Sequence, residues 1–223
     1  MFYGSSSLSK KKYSFWGDNL AQYFDNVSLP SEIKKVKVEI LDTTLDIATD
    51  NGVFSKNKLD FGTRLLLENL PLEEIKGKIL DVGCGYGPIG LYLKKATDCE
   101  VDMCDVNKRA LHLTKMNAKA NKLDVTVFES NCYENVSSIY DVIITNPPIR
   151  AGKKVVYEIL MNAKEHLTKD GILFCVIHKD QGAKSTVSDL EKVYNVTILE
   201  KNKGFFVIKC INRWLVDGFV LII

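Results

Sequence analysis

The segment LDVGCGYGPIG, residues 80–90, holds two overlapping glycine patterns. Gly85, Gly87 and Gly90 fit G-x-G-x-x-G, whereas Asp81, Gly83, Gly85 and Gly87 fit D-x-G-x-G-x-G. Both patterns expect a strand, then a turn rich in glycine because a ligand approaches the backbone, then a helix that presents free amides. Both also expect an acidic residue after the second strand to accept ribose hydroxyls. Asp105, twenty positions past Gly85, serves either pattern, and its place at a strand end favours it over the mid-strand Asp102.

Outward from this turn, strands and helices alternate: strand 78–82, helix 88–96, strand 100–105, helix 107–121, strands 125–129 and 140–145, helix 153–167, strand 171–178 and helix 183–194. Such alternation means crossover connections and a parallel sheet covered on both faces. In helix 153–167 the buried stripe is Val156, Leu160, Ala163 and Leu167. The run NVTILEKNKGFFVIKC reads as two strands joined by a tight Asn-Lys-Gly turn, giving the sheet one reversed edge. Upstream, VKVEIL (36–41) and TLDIAT (44–49) form a hairpin turning at Asp42 and Thr43, and GVFSKNKLDFGTRLLLENL becomes helical near Gly62 or Thr63. The expected fold is a doubly wound α/β, Rossmann-like sheet, mostly parallel, with an N-terminal β-hairpin and a C-terminal antiparallel hairpin. Residues 1–17 read as a flexible arm, 18–210 as one domain and 211–223 as an apolar extension too short for the ~20 residues of a spanning helix.

Two features separate the glycine patterns. A carboxylate at Asp81 repels a pyrophosphate but suits a zwitterion bearing an ammonium and a sulfonium, which favours S-adenosylmethionine over a nicotinamide dinucleotide. Downstream, after the strand YDVIIT, stands NPPIRAGK (146–153), at the carboxyl end of a central strand where ligands of open α/β sheets bind. Consecutive prolines leave the Pro147 carbonyl without a neighbouring amide donor, and Asn146 adds a side-chain acceptor. Two convergent acceptors suit an exocyclic amine, whose lone pair they direct at an electrophilic methyl.

Composition bounds the alternatives. A chain of 223 residues buries roughly 70 % or more of its unfolded surface in one core. Its 46% hydrophobic and 26% charged content is that of an ordinary globular protein. A net charge of +2 leaves nucleic-acid binding to local patches such as SKKK (9–12), KKVK (34–37) and GKK (152–154). Six cysteines without C-x-x-C spacing read as small apolar side chains in a reducing cytoplasm, with no metal site and no disulfide; no signal peptide opens the chain, and no membrane anchor is expected.

The segments GVFSKNKLDFGTRLLLENL, ILDVGCGYGPIG, CDVNKRAL, NCYENV and TNPPIRAGKKV resemble the ribosomal small subunit methyltransferase C family, class I enzymes that methylate the exocyclic N2 amine of a guanine in small-subunit ribosomal RNA. The resemblance spans roughly residues 36 to 210 and implies S-adenosylmethionine as cofactor, with ribosomal RNA or the assembled small subunit as partner. It implies a cofactor site of Asp81, Gly83, Cys84, Gly85, Gly87, Asp105, Val106, Asn131, Cys132, Phe54 and Thr63. Asp81, Gly83 and Gly85 would hold the methionine moiety, Asp105 the ribose, and Asn131 with Cys132 the adenine edge. The catalytic turn would be Asn146, Pro147, Pro148 and Ile149, with Arg150, Lys153 and Phe54 toward substrate. Phe54, Asp60 and Thr63 fall in a loop that the family places over the cofactor. Ile149 stands where adenine-modifying and glutamine-modifying relatives carry an aromatic, which favours guanine. A protein-glutamine methyltransferase, a nicotinamide oxidoreductase and a non-catalytic ribosome-assembly module remain the rival readings.

Overall fold

The computed structural model describes residues 30–213 except 52, 54, 56 and 57, together with the two-residue strands Leu215–Val216 and Phe219–Val220. The arm at 1–17 and Phe54 lie outside the described residues.

Seven strands form the main sheet: β3 (Lys78–Val82), β4 (Glu100–Asp105), β5 (Thr126–Glu129), β6 (Tyr140–Thr145), β7 (Leu167–His178), β8 (Tyr194–Asn202) and β9 (Phe205–Asn212), in spatial order β5-β4-β3-β6-β7-β9-β8. The first five in that order run parallel, and β9 is antiparallel to both neighbours. The reversed strand is therefore not at the edge as expected. It is inserted between β7 and β8: the tight turn at Lys203 and Gly204 pairs β9 with β8, and the other edge of β9 pairs with β7, from Ile172↔Ile211 to His178↔Phe205. The chain goes outward from β3 through β4 to β5 and returns to the other side of β3 as β6, so the order switches at β3, where open α/β sheets bind ligands.

Alternation along the strands sorts the core into two layers. Ile79, Val101, Met103, Val142, Ile144, Phe174 and Val176 face a layer with α1 (Phe61–Glu68), α2 (Pro88–Ala96) and α3 (Lys108–Ala120). Leu80, Val82, Cys104, Ile143, Leu173, Cys175 and Ile177 face α4 (Lys153–Asn162) and α5 (Ala183–Leu190). All six cysteines are free and buried within these layers. Among the described residues no helix is long and apolar enough to cross a membrane, and no cluster of three or more His, Cys, Asp or Glu is placed to hold a metal ion.

Two helices end earlier than their periodicity suggests. The stripe Val156, Leu160, Ala163, Leu167 keeps helical spacing, but α4 stops at Asn162 and one 3-10 turn, Ala163–Glu165, follows. Leu167 instead opens β7 opposite Tyr140, whose amide donates to the His166 carbonyl at 2.8 Å. Sheet pairing with β6 captures a residue that local spacing assigns to the helix. Similarly α5 ends at Leu190, closed by Lys192 N–H to Asp189 O and Val193 N–H to Leu190 O, and Tyr194 opens β8 with its hydroxyl on the Leu160 carbonyl.

The hairpin β1 (Lys34–Ile40) and β2 (Thr43–Thr49) turns at Leu41 and Asp42, one residue earlier than expected, with Ile40 paired to Thr43. Its free edge is closed by side chains of α3. Asn117 exchanges both amide bonds with the Ala48 backbone (2.7 and 3.0 Å), and Asn121 does so with Asp46 (2.9 and 2.8 Å). Positions four apart on a helix thus meet positions two apart on a strand, and two asparagines occupy the place of a neighbouring strand. Residues 211–212 continue β9, and Leu215–Val216 (β10) pairs antiparallel with Phe219–Val220 (β11).

Candidate active site

The turn after β3 is shaped by three left-handed glycines, Gly83 (φ 72°), Gly85 (φ 58°) and Gly87 (φ 96°). A Cβ on Gly85 would meet nothing within 4 Å and one on Gly83 only Pro148 Cδ at 3.7 Å, so backbone conformation demands these glycines and the turn opens on free space. Gly90 differs: it is helical, and a Cβ there would fall 2.6 Å from Met103, so it lets α2 settle onto the sheet. The D-x-G-x-G-x-G pattern is thus the one whose glycines shape the turn. From α3, Thr114 Oγ1 donates to the Gly85 carbonyl (2.8 Å) and Asn117 Nδ2 to that of Tyr86 (2.8 Å), which clamps the turn from behind.

Asp81 is fully buried. Its Oδ2 accepts from the Gly90 amide at 2.9 Å, while Oδ1 is the buried side-chain oxygen without a hydrogen-bond partner among the described residues. Burial pushes its pKa up to about 7 against the pull of the Gly90 amide, and the nearby Asp105 adds to the rise. Asp105, at the end of β4, accepts from Gly85 N (2.9 Å) and Asn107 N (2.8 Å); burial raises its carboxyl as well. Asp102 is instead bound to Lys78 and the Tyr140 hydroxyl, both at 2.9 Å.

A small cleft lies at these strand ends, lined by Val82, Gly83, Asp105, Val106, Asn131, Cys132 and Pro148 among others. Cys132 holds a left-handed backbone (φ 47°), with its carbonyl accepting from Ser130 Oγ at 2.9 Å; Asn131 Nδ2 donates to Glu134 at 2.9 Å. Strain of this kind gathers where a backbone must present its groups to a ligand. Cys84 is buried, with its sulfur 3.9 Å from Thr114 Oγ1, so only its backbone belongs to the turn's open side.

Asn146 follows β6. Its Nδ2 donates to Asp60 Oδ2 (3.1 Å) and to Thr63 Oγ1 (2.8 Å). A carboxylate only accepts, so the amide nitrogen must face it. Both amide hydrogens are then engaged, and Oδ1 is left as an acceptor with no donor among the described residues. Asp60 Oδ2 also caps α1 by accepting from Thr63 N at 3.1 Å. The carbonyl of Pro148 accepts from Ala151 N (2.9 Å), whereas no backbone amide among the described residues donates to that of Pro147.

The structure thus gathers Gly83, Asp105, Val106, Asn131, Cys132 and Pro148 around one cleft, with Asp81 buried behind its glycine turn. Thr63 lies in the first turn of α1 rather than in a loop, and touches Asn146. Ile149 and Arg150 are exposed on a 3-10 turn, and the Lys153 ammonium sits 4.8 Å over the Tyr157 ring. Sequence reasoning missed Thr114 and Asn117, although their spacing of three puts them on one face of α3. The pairing of Asp60 with Asn146 spans 86 positions and carries no local signal.

The family model for the methyltransferase small domain matches residues 44–209. The uncharacterized protein YbxB of Bacillus subtilis is 42% identical over 192 residues, covering 84% of this chain and 96% of that protein. Ribosomal RNA small subunit methyltransferase C of Psychromonas ingrahamii is 35% identical over 186 residues, 81% of this chain and 52% of its own length. Among solved structures, a T. thermophilus 16S rRNA N2 methyltransferase in complex with AdoMet and guanosine matches with a TM-score of 0.74 and 26% identity, covering 83% of this chain and 52% of that one. The chain thus spans about half the length of the relatives named as ribosomal RNA methyltransferases.

Proposed function

Because this chain belongs to the methyltransferase small domain family, we propose that it transfers the methyl group of S-adenosylmethionine to the exocyclic N2 amine of a guanine in small-subunit ribosomal RNA. The observation that carries this reading is the Asn146 amide, locked by Asp60 and Thr63 so that Oδ1 alone remains to accept. An exocyclic amine donates one hydrogen to Asn146 Oδ1 and the other to the Pro147 carbonyl. With both hydrogens held, the nitrogen lone pair has a single direction left, toward the methyl; as the N–C bond formed and the S–C bond broke, S-adenosylhomocysteine would leave and the amine's surplus proton would pass by these acceptors to water. Guanine as the target rests on the guanosine bound by the T. thermophilus N2 methyltransferase and on the absence of an aromatic at Ile149.

The residues present fit S-adenosylmethionine. An unpartnered buried carboxylate oxygen at Asp81 provides counter-charge for an ammonium, the open glycine turn leaves room for the methionine arm, and Asp105 with the Asn131–Cys132 backbone suits ribose and adenine. The cofactor supplies the electrophilic methyl. The protein's six free, buried thiols fit a reducing cytoplasm, where this RNA would be met.

The test is Asn146→Ala assayed with radiolabelled S-adenosylmethionine on small-subunit RNA lacking the modification. Turnover should fall by about 100-fold or more, with S-adenosylhomocysteine affinity retained, since removing one positioned acceptor of a reacting group costs on that order. Normal turnover in the variant refutes the proposed role, and transfer to a protein glutamine but not to RNA refutes the substrate.

A further inference from the structure

We propose that the tip of the β8–β9 hairpin, with the end of β7 and the start of α1, seats the RNA strand flanking the target nucleotide; this rests on the function proposed above. A continuous tract leads away from Asn146. Asp60, its hydrogen-bond partner, is followed by Phe61, whose ring lies 5.5 Å from that of Phe205, and Phe205 meets the His178 ring at 4.6 Å. The three rings are partly exposed. Exposed lysines border them: Lys203 stands 4.8 Å over the Phe61 ring, Lys201 4.9 Å over Phe206, and Lys179 packs its stem against Gly204. The tip also carries two acids, Asp180, whose backbone amide donates to His178 Nδ1 at 3.3 Å, and Glu200, which accepts from the Lys201 amide at 2.9 Å.

Lys203 is the informative residue. The turn needs left-handed backbone at both central positions, and Lys203 (φ 46°) occupies the one that asparagine, aspartate or glycine fills with least strain. An ammonium is therefore placed there against backbone preference, above an aromatic face. A Cβ on Gly204 would fall 2.7 Å from His178 Nε2, so the tip is pressed onto the end of β7 and forms a firm platform. Partly exposed rings interleaved with lysines fit a single-stranded nucleic acid, with bases stacking on the rings and phosphates on the ammonium groups.

The test uses the full chain and fluorescein-labelled single-stranded RNA from the small subunit, read by anisotropy across a salt series. The variant combines Lys179→Ser, Lys201→Ser and Lys203→Asn, the last suited to the left-handed turn. RNA affinity should fall at least tenfold, and the slope of log affinity against log salt should shrink by about 2, for three phosphates at ~0.7 each on a single strand. S-adenosylhomocysteine affinity should stay the same, which also reports an intact fold. Phe61→Leu should weaken binding with no change in slope. Methyl transfer to RNA by the wild type, with KM and salt slope unchanged in the triple variant, overturns the surface alone. A wild type that neither binds nor methylates RNA overturns both the surface and the proposed function.

Discussion

Replacing Asp81 with asparagine should make the protein more stable and its cofactor site weaker. The folded-state pKa of about 7 lies roughly three units above the ordinary 3.8, and at 1.36 kcal/mol per unit the ionised carboxylate removes about 4 kcal/mol of stability. The fold holds this proton more tightly than the unfolded chain does. The contribution is therefore fully present below pH 4, is lost as pH rises from 4 to 7, and is absent above. Asparagine is neutral at every pH and keeps a carbonyl for the Gly90 amide. It also buries an N–H at the Oδ1 position, which has no hydrogen-bond partner among the described residues, at a cost of about 1–3 kcal/mol. The net gain at pH 8 is about 1–3 kcal/mol, a rise in Tm of about 2–12 °C at roughly 2–4 °C per kcal/mol for this size. The gain should shrink as pH falls toward 4. In calorimetric titration, wild-type affinity for S-adenosylhomocysteine should strengthen up to tenfold per unit as pH rises toward 7, and the variant should bind at least tenfold more weakly with a flat profile. A variant that melts lower at pH 8 and binds as tightly as wild type refutes both the buried charge and its role toward an ammonium.

Two further substitutions probe the scaffold. Thr63→Val removes one of the two acceptors that hold the Asn146 amide, and kcat should fall about tenfold at unchanged S-adenosylhomocysteine affinity; a loss of affinity at unchanged kcat would place Thr63 on the cofactor instead. Asn117→Ala strands the Ala48 amide and two carbonyls, those of Ala48 and Tyr86, and should cost about 3 kcal/mol in urea unfolding, with an effect below 1 kcal/mol refuting the edge-closing role.

Most of the sheet was legible because each element carries its own pattern. Pro88 behind Gly87 marks the start of α2, and Asn107 caps α3 by accepting from Arg109 and Ala110 amides. Errors fell where long-range pairing overrides local spacing. Leu167 reads as helix until Tyr140 is known to lie beside it, and β9 reads as an edge until its partners on both sides are seen. In the site, residues tied to the strand ends were readable, since topology alone places Asp81, Asp105 and Asn146. The residues that fix their side chains were not. Asp60 is set near the cofactor by family resemblance alone, and nothing near it in the chain announces that one of its oxygens both caps α1 and holds the amide of Asn146.

The insertion of β9 between β7 and β8 sets an order of assembly during synthesis. β8 leaves the ribosome before β9, yet it has no partner in the main sheet except β9. Until residues 205–212 emerge, one edge of β7 is unpaired along its apolar run of Leu173 to Ile177, a template for pairing with another chain. The final strand of the sheet to be made is therefore the one that seals its interior, and a nascent chain halted before residue 205 presents that edge for as long as it is halted.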